Sequence, residues 1–318
     1  MFDSFVGTVK NIGGKSAVGV QGGGMTTSFW GLRGTEDLGG GYSSFFVLES
    51  YFQPQNGTYG RYAGDSFFSR NAYVGISSPY GSVRAGRLTT QFYIATVVFN
   101  PFFNSFTFSP VVLGVLKGQG VQTLIGDTAW NNAVAYSSPT LGGVKFDAMY
   151  AFGNQAGESG QRKWSAGVSY AQGGLSASAV YQYINFSANP GDISTAVSGV
   201  AGLRSQGAFE VAVSYDAKFV KGYLQYIDLR DNAALGHYNT QTGQIGASVP
   251  VGVGAVLASY SYSRSAVPLG TDGVRNIWTI GYDYPLSKRT DLYAAFKSDR
   301  YTNLSSGMAY GVGIRSAF

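Results

Sequence analysis

An all-β chain folded as an antiparallel transmembrane barrel is what three observations predict. Apolar and small or polar residues alternate with period two through most of the 318 residues. The segments are separated alternately by tight turns and by long polar connections. Charge is scarce, with 12% charged residues against 44% hydrophobic and 15% aromatic.

The same figures exclude other classes. A disordered chain would be poor in aromatics and high in net charge. With no cysteine, neither a disulfide framework nor a thiolate metal site can form. A spanning helix needs about 20 apolar residues. The nearest stretch, Phe92 to Leu116, is interrupted by Asn100, Pro101, Asn104 and Pro110. No linker or compositional step divides the chain, so residues 1–318 are expected to form one domain.

Strand patterning is clearest where one face is aromatic or branched. Trp164, Ala166, Val168 and Tyr170 alternate with Ser165, Gly167 and Ser169. Phe209, Val211, Val213 and Tyr215 alternate with Glu210, Ala212, Ser214 and Asp216. Similar rows run from Leu175, Val256, Trp278 and Tyr310. Tight turns are expected at 36–41, 78–81, 138–143, 171–174, 216–219, 250–254 and 285–290. Longer connections are expected at about 8–27, 52–70, 90–127, 153–162, 185–207, 229–240, 264–275 and 298–307. Seven tight turns join fourteen strands, and one strand at each end makes sixteen. An even count, one trimmed rim and one elaborated rim fit an outer-membrane barrel. A soluble barrel also alternates, but its outer face would carry more charge than the Ser, Gly, Ala and Gln seen here.

The motifs FWGLRGTEDLGGG (29–41), RNAYVGISSPYGSVRAGR (70–87), NNAVAYSSPTLGGVKFDAMYAFG (131–153), LSKRTDLYAAF (286–296) and the closing YGVGIRSAF are similar in order and spacing to β-proteobacterial Gram-negative porins. The resemblance covers nearly the whole chain. It implies a sixteen-stranded barrel with short periplasmic turns and long outer loops, with a third loop, here about 90–127, folded inward to narrow the pore. It also implies a homotrimer, no cofactor and passive passage of small hydrophilic solutes and ions. Phe318, with Ile314, Val312 and Tyr310 at alternate positions, resembles the terminal signal read by the barrel-assembly machinery. The sequence departs from the family in three ways. The first strand is shorter than the family's, as if truncated. The third loop is uncharged from Phe92 to Leu116. Ala129 stands where the family often has arginine.

An arginine facing lipid at mid-membrane costs about 2–4 kcal/mol, falling toward zero at the interface. Phase therefore assigns Arg33 to the lumen, opposite Trp30 and Leu32. Arg87 is preferred over Arg84, which lies near a turn where outward placement costs little. These two arginines match the family's constriction cluster. Glu49, Lys145, Asp147, Glu210, Lys221, Asp283 and Arg315 fall on lumen faces too, and an anion preference is the expectation. Phe102 and Phe103 are candidates for the third loop's pore face. Packing of its rings against the barrel wall is the stronger expectation, since seven apolar rings cannot all face water without large cost.

Other chemistries find no support. His237, the sole histidine, has no accompanying nucleophile motif, so catalysis is not expected. The slight, scattered basic excess does not suggest nucleic-acid binding. Arg61, Arg70, Arg162 and Lys163 are candidates for lipopolysaccharide contacts.

Overall fold

Every strand of the structure, a computed structural model, pairs antiparallel with a neighbour. Residues 1–119, 123–153, 162–185, 200, 202–268 and 271–318 are described. Eighteen strands form one sheet: β1 (Phe2–Lys10), β2 (Ser16–Gly22), β3 (Phe29–Gly39), β4 (Tyr42–Gln53), β5 (Thr58–Tyr59), β6 (Asn71–Ser78), β7 (Gly81–Thr89), β8 (Ala129–Ser137) and β9 (Val144–Ala151) come first. Then come β10 (Lys163–Gln172), β11 (Leu175–Asn185), β12 (Leu203–Asp216), β13 (Lys221–Ala233), β14 (Gly236–Val251), β15 (Gly254–Ala266), β16 (Gly273–Pro285), β17 (Thr290–Tyr301) and β18 (Gly307–Ser316). Two short helices, α1 (Gln91–Val98) and α2 (Pro110–Leu116), interrupt the strands between β7 and β8. No helix among the described residues is long and apolar enough to cross a membrane.

The count of eighteen differs from sixteen for two local reasons. β5 is a two-residue pairing inside the second long connection. β2 and β3 are separated by the GGMTTS segment, where positive φ at Gly23 helps break the ladder. β2 pairs with β1, whereas β3 pairs with β4. β1 also pairs with β18 along its whole length, Phe2 opposite Ser316 through Lys10 opposite Met308. Although β1 is short, its seam with β18 is complete, and the open edge lies on β3. Its Phe29 exchanges backbone hydrogen bonds with Met1 at 2.9 and 3.0 Å, but beyond it β3 pairs only with β4 among the described residues.

All seven tight turns fall where the breaker residues place them. Gly39, Gly40 and Gly41 all have positive φ, which explains the triple glycine of the first turn. Two expected long connections do not: 8–27 holds β2, paired along β1, and 229–240 is almost entirely strand. Strands β13 and β14 continue through 229–240 and leave only Ala234 and Leu235 between them, so His237 pairs with Asn232 in a strand rather than in a loop. The connections around 153–162 and 185–207 lie largely outside the described residues.

The burial pattern is inverted relative to a soluble sheet. On β12, Phe209, Val211 and Val213 are exposed, while Ala208, Glu210, Ala212 and Ser214 are buried. On β15 and β16, Tyr260, Tyr262, Trp278 and Ile280 are exposed, while Ser259, Ser261, Arg275 and Thr279 are buried. An apolar outer face is stable only against lipid, and a polar inner face only where water or partners satisfy it.

Candidate functional site: the third loop and the charged inner wall

The segment from Thr90 to Thr128 enters the interior and lies on the inner wall. It begins and ends at one point, where the Thr90 amide donates to the Thr128 carbonyl at 3.0 Å. Thr90 caps α1 by accepting from the Tyr93 amide. Ser109 caps α2, whose first residue is Pro110, a position that needs no amide hydrogen. The apolar side chains then pack on the wall. Phe92, Val111, Val112 and Val115 cluster with Val180, Ala208, Ile227 and Leu229. Phe102 and Phe108 cluster with Phe5, Met25 and Leu257.

Polar ties fix the loop at four further places. First, the Glu210 carboxylate accepts from the Thr96 hydroxyl at 2.9 Å, and the Gln225 amide donates to the Thr96 carbonyl at 3.2 Å. Second, Gln206 accepts from the Ile125 amide at 2.7 Å and donates to the Thr123 carbonyl at 3.0 Å. Third, Arg275 forms a bidentate pair with Asp299, at 3.0 and 2.8 Å, and donates to the carbonyls of Leu113 and Lys117 at 2.9 and 2.7 Å. A cation thus completes the C-terminal end of α2, where carbonyls lack partners.

The fourth tie holds the loop's tip. The buried Asp3 carboxylate accepts from the amides of Gly24, Met25 and Thr26 at 2.8, 2.9 and 3.0 Å, and from the Tyr293 hydroxyl at 2.7 Å. The turn that Asp3 orders in turn accepts from the tip: Thr107 donates to the Gly23 carbonyl at 2.9 Å, and Ser105 donates to the Gly24 carbonyl.

A second charged cluster gathers at the loop's root. Asp127 accepts from Arg61 and, at 2.9 Å, from Arg87. Arg61 also binds Asp65 at 2.8 Å, and its guanidinium lies over the Tyr51 ring at 5.6 Å. Arg87 reaches the Asn131 side chain at 2.6 Å and the Ser69 carbonyl at 2.8 Å. Arg70 pairs with Glu49, which also accepts from Asn71 at 2.6 Å. Burial alone would raise the Asp127 carboxyl, but the Arg61 and Arg87 guanidinium groups hold it well below the usual carboxylate range. Burial likewise works against the Arg61 cation, and Asp127 and Asp65 outweigh it, so its proton is held more tightly than in water.

The sign for stability follows. A depressed carboxyl contributes fully above its unfolded pKa of about 3.9 and loses that contribution only as pH falls through the lower folded value. Protease nicking within residues 54–70 is therefore expected to stay at its neutral-pH level down to about pH 4. Asp127→Asn is expected to raise nicking at every pH. Nicking that rises between pH 7 and 5 in the unsubstituted chain would contradict the assignment.

The residues expected in the pore separate into several groups. Arg33 keeps the phase of its register partner Val47 and of the Gly31–Glu49 pair, opposite the exposed Leu32, and it is exposed with no ion pair among the described residues. Arg87 does reach the cluster, but by another route. A register shift between Gly86 and Leu88 takes it off the alternation. Arg84, expected outside, instead points inward: it donates to the buried Ser137 hydroxyl at 2.7 Å, and Ser137 donates to Asp147. Lys145 lies 3.5 Å from Asp147. Asp283 pairs with Arg315, and Lys221 stands over the Tyr223 ring.

Phe102 is fully buried, so it cannot line an aperture; its ring packs on the wall. Phe103 is 48% exposed, as its positive φ of 46° turns it away from the packed side. Arg61 and Arg70 are not free for a lipid headgroup, being turned to Asp65, Asp127 and Glu49, and Lys163 is buried; only Arg162 is exposed. Tyr310, Val312 and Ile314 form an exposed outer row, and Phe318 is exposed at the end.

The chain is similar to known proteins over nearly its whole length. The family model described as Gram-negative porin matches residues 2–304. The chain belongs to the Gram-negative porin family. An outer membrane porin protein of Bordetella pertussis is 30% identical over 94% of this porin and 83% of the relative. Outer membrane porin protein 32 of Delftia acidovorans is 30% identical over 95% and 83%. Among solved structures, an anion-selective porin from Comamonas acidovorans superposes with a TM-score of 0.81 at 27% identity, covering 100% of this porin and 98% of that chain. The porin is thus an outer-membrane channel protein and not an enzyme.

Sequence reasoning missed Asp3, Asp127, Lys117, Arg275 and Asp299, and it placed Arg61 on the lipid side rather than in the cluster at the loop's root. For Arg275 the signal was present. It is out of phase with Trp278 and Ile280, so alternation alone assigns it to the inner face.

Proposed function

We propose that this porin forms a sixteen-stranded barrel, assembled as a trimer, with a water-filled pore for passive diffusion of small hydrophilic solutes and a preference for anions. β2 and β3 act as two halves of one wall strand, and β5 stands outside the wall count. The observation that carries the anion preference is the state of the charged groups inside. Glu49, Asp127, Asp147, Asp283 and Asp299 are each paired with a cation. Glu210 is covered by α1, with no exposed surface. Arg33 and Lys117 are exposed and have no carboxylate partner among the described residues. Fixed cations without counter-charges raise the local concentration of anions. The likeness to an anion-selective porin supports the same sign.

The test is a reversal potential across a planar bilayer with a salt gradient. A potential of the sign set by chloride is expected, shifting toward zero in Arg33→Gln/Lys117→Gln. A cation-selective reading in the unsubstituted chain would end the anion proposal, and absence of any conductance would end the pore proposal.

A further inference from the structure

A cavity of about 800 Å³ opens between the 22–28 segment, the second long connection and the third loop. Its lining includes Arg61, Tyr62, Phe106, Leu116, Lys117 and Asp127. The charges here do not cancel. Asp127 is bound by Arg61 and Arg87, and Asp65 by Arg61, so two carboxylates and two guanidinium groups form a neutral set. Lys117 stands outside that set. Among the described residues its ammonium reaches only the Phe106 carbonyl, at 3.4 Å, and stands 5.6 Å from the centre of the Phe106 ring. A contact that long leaves donors free.

The Lys117 backbone is held firmly, and its side chain only by the long contact to Phe106. Its carbonyl accepts from Arg275 at 2.7 Å, which fixes where the flexible stem starts. The ammonium is therefore delivered to one wall of the cavity beside an aromatic ring and the Leu116 side chain. A hydrated inorganic anion could use the charge but not the ring. An anion with an apolar body could use both, because removing apolar surface from water adds to the ion pair.

We propose that this cavity is a solute-binding subsite for small monocarboxylates carrying an aromatic ring or short alkyl body, with Lys117 receiving the carboxylate and Phe106 and Leu116 the apolar part. The volume lies within the range of about 300–1,000 Å³ that small-molecule sites occupy. The inference rests on the pore reading and narrows it to a favoured solute class at one place.

The experiment is current block in planar bilayers by benzoate, acetate and benzamide, using the full chain. Benzoate is expected to block saturably at a concentration at least about ten-fold below acetate, and benzamide to block no better than acetate. Lys117→Gln is expected to raise the benzoate half-block concentration about ten-fold or more, and Lys117→Arg to restore it. Variant folding is checked by circular dichroism and thermal midpoint. Equal block by benzoate and benzamide, or an unchanged half-block in Lys117→Gln, overturns the subsite. Titration calorimetry with benzoate on detergent-folded protein separates the two readings. Heat that is lost in Lys117→Gln upholds the subsite even if no pore conducts, and no heat in a conducting protein overturns it.

Discussion

Arg275→Ala is expected to destabilise the folded porin by about 3–5 kcal/mol, because it removes one partner from a buried ion pair. Arg275 is 3% exposed and Asp299 is equally buried, so the carboxylate left behind loses its bidentate partner and has no open water. The Leu113 and Lys117 carbonyls at the end of α2 lose their donor in the same step. Lys297, also buried, stays close enough to Asp299 to offer partial relief, which keeps the loss from exceeding that range. Arg275→Lys retains charge but cannot span Asp299 and two carbonyls with one planar fork, and is expected to fall between. Urea unfolding in detergent reads both. A loss below about 1 kcal/mol for Arg275→Ala would place the pair among solvent-screened surface bridges.

Deletion of residues 95–116 is expected to raise single-channel conductance about two-fold or more. The excised segment holds the second half of α1 and all of α2, and a helix with its side chains is about 10–12 Å across. Conductance follows open cross-section, so removing a body of that width from the interior widens the path. The same deletion exposes Val180, Ala208, Ile227 and Leu229, which now have the loop's apolar residues as their cover. A wetter inner wall should therefore accompany the wider pore and lower the unfolding midpoint. Unchanged conductance would show that the narrowest point lies elsewhere.

How much of this was legible in the sequence depended on the range of the interaction. Tight turns are local: glycine or proline marks six of the seven, and Asp216, which accepts from the Lys218 amide, marks the other. The faces of strands such as β12 were legible because Phe209, Val211 and Val213 leave only one assignment of inside and outside. The third loop's packing followed from the cost of wetting its rings. Arg84 was assigned outward because it differs in phase from Arg87, and the register shift after Gly86 that lets both arginines face inward is a backbone event with no residue pattern of its own. The connection at 229–240 reads as polar loop, yet Asp231 and Asn232 pair within β13 because the inner face tolerates polar residues where a soluble core would not. The roles of Asp3 and Asp127 were not legible at all, and Arg61 was singled out only for the lipid side. Their partners lie 21 to 290 residues away in Asp3's case, and 66 residues separate Arg61 from Asp127.

The Asp3 junction has a consequence for how the loop and the wall are coupled. Its carboxylate joins a residue near the first end of the chain to Tyr293 near the other, and through the turn at 23–26 to Ser105 and Thr107. One carboxylate thus ties the tip of the inner loop to β1 and to β17 at once. A change at Asp3 should be felt in the loop and in the neighbouring wall together, so the bore and this part of the wall share one fastening.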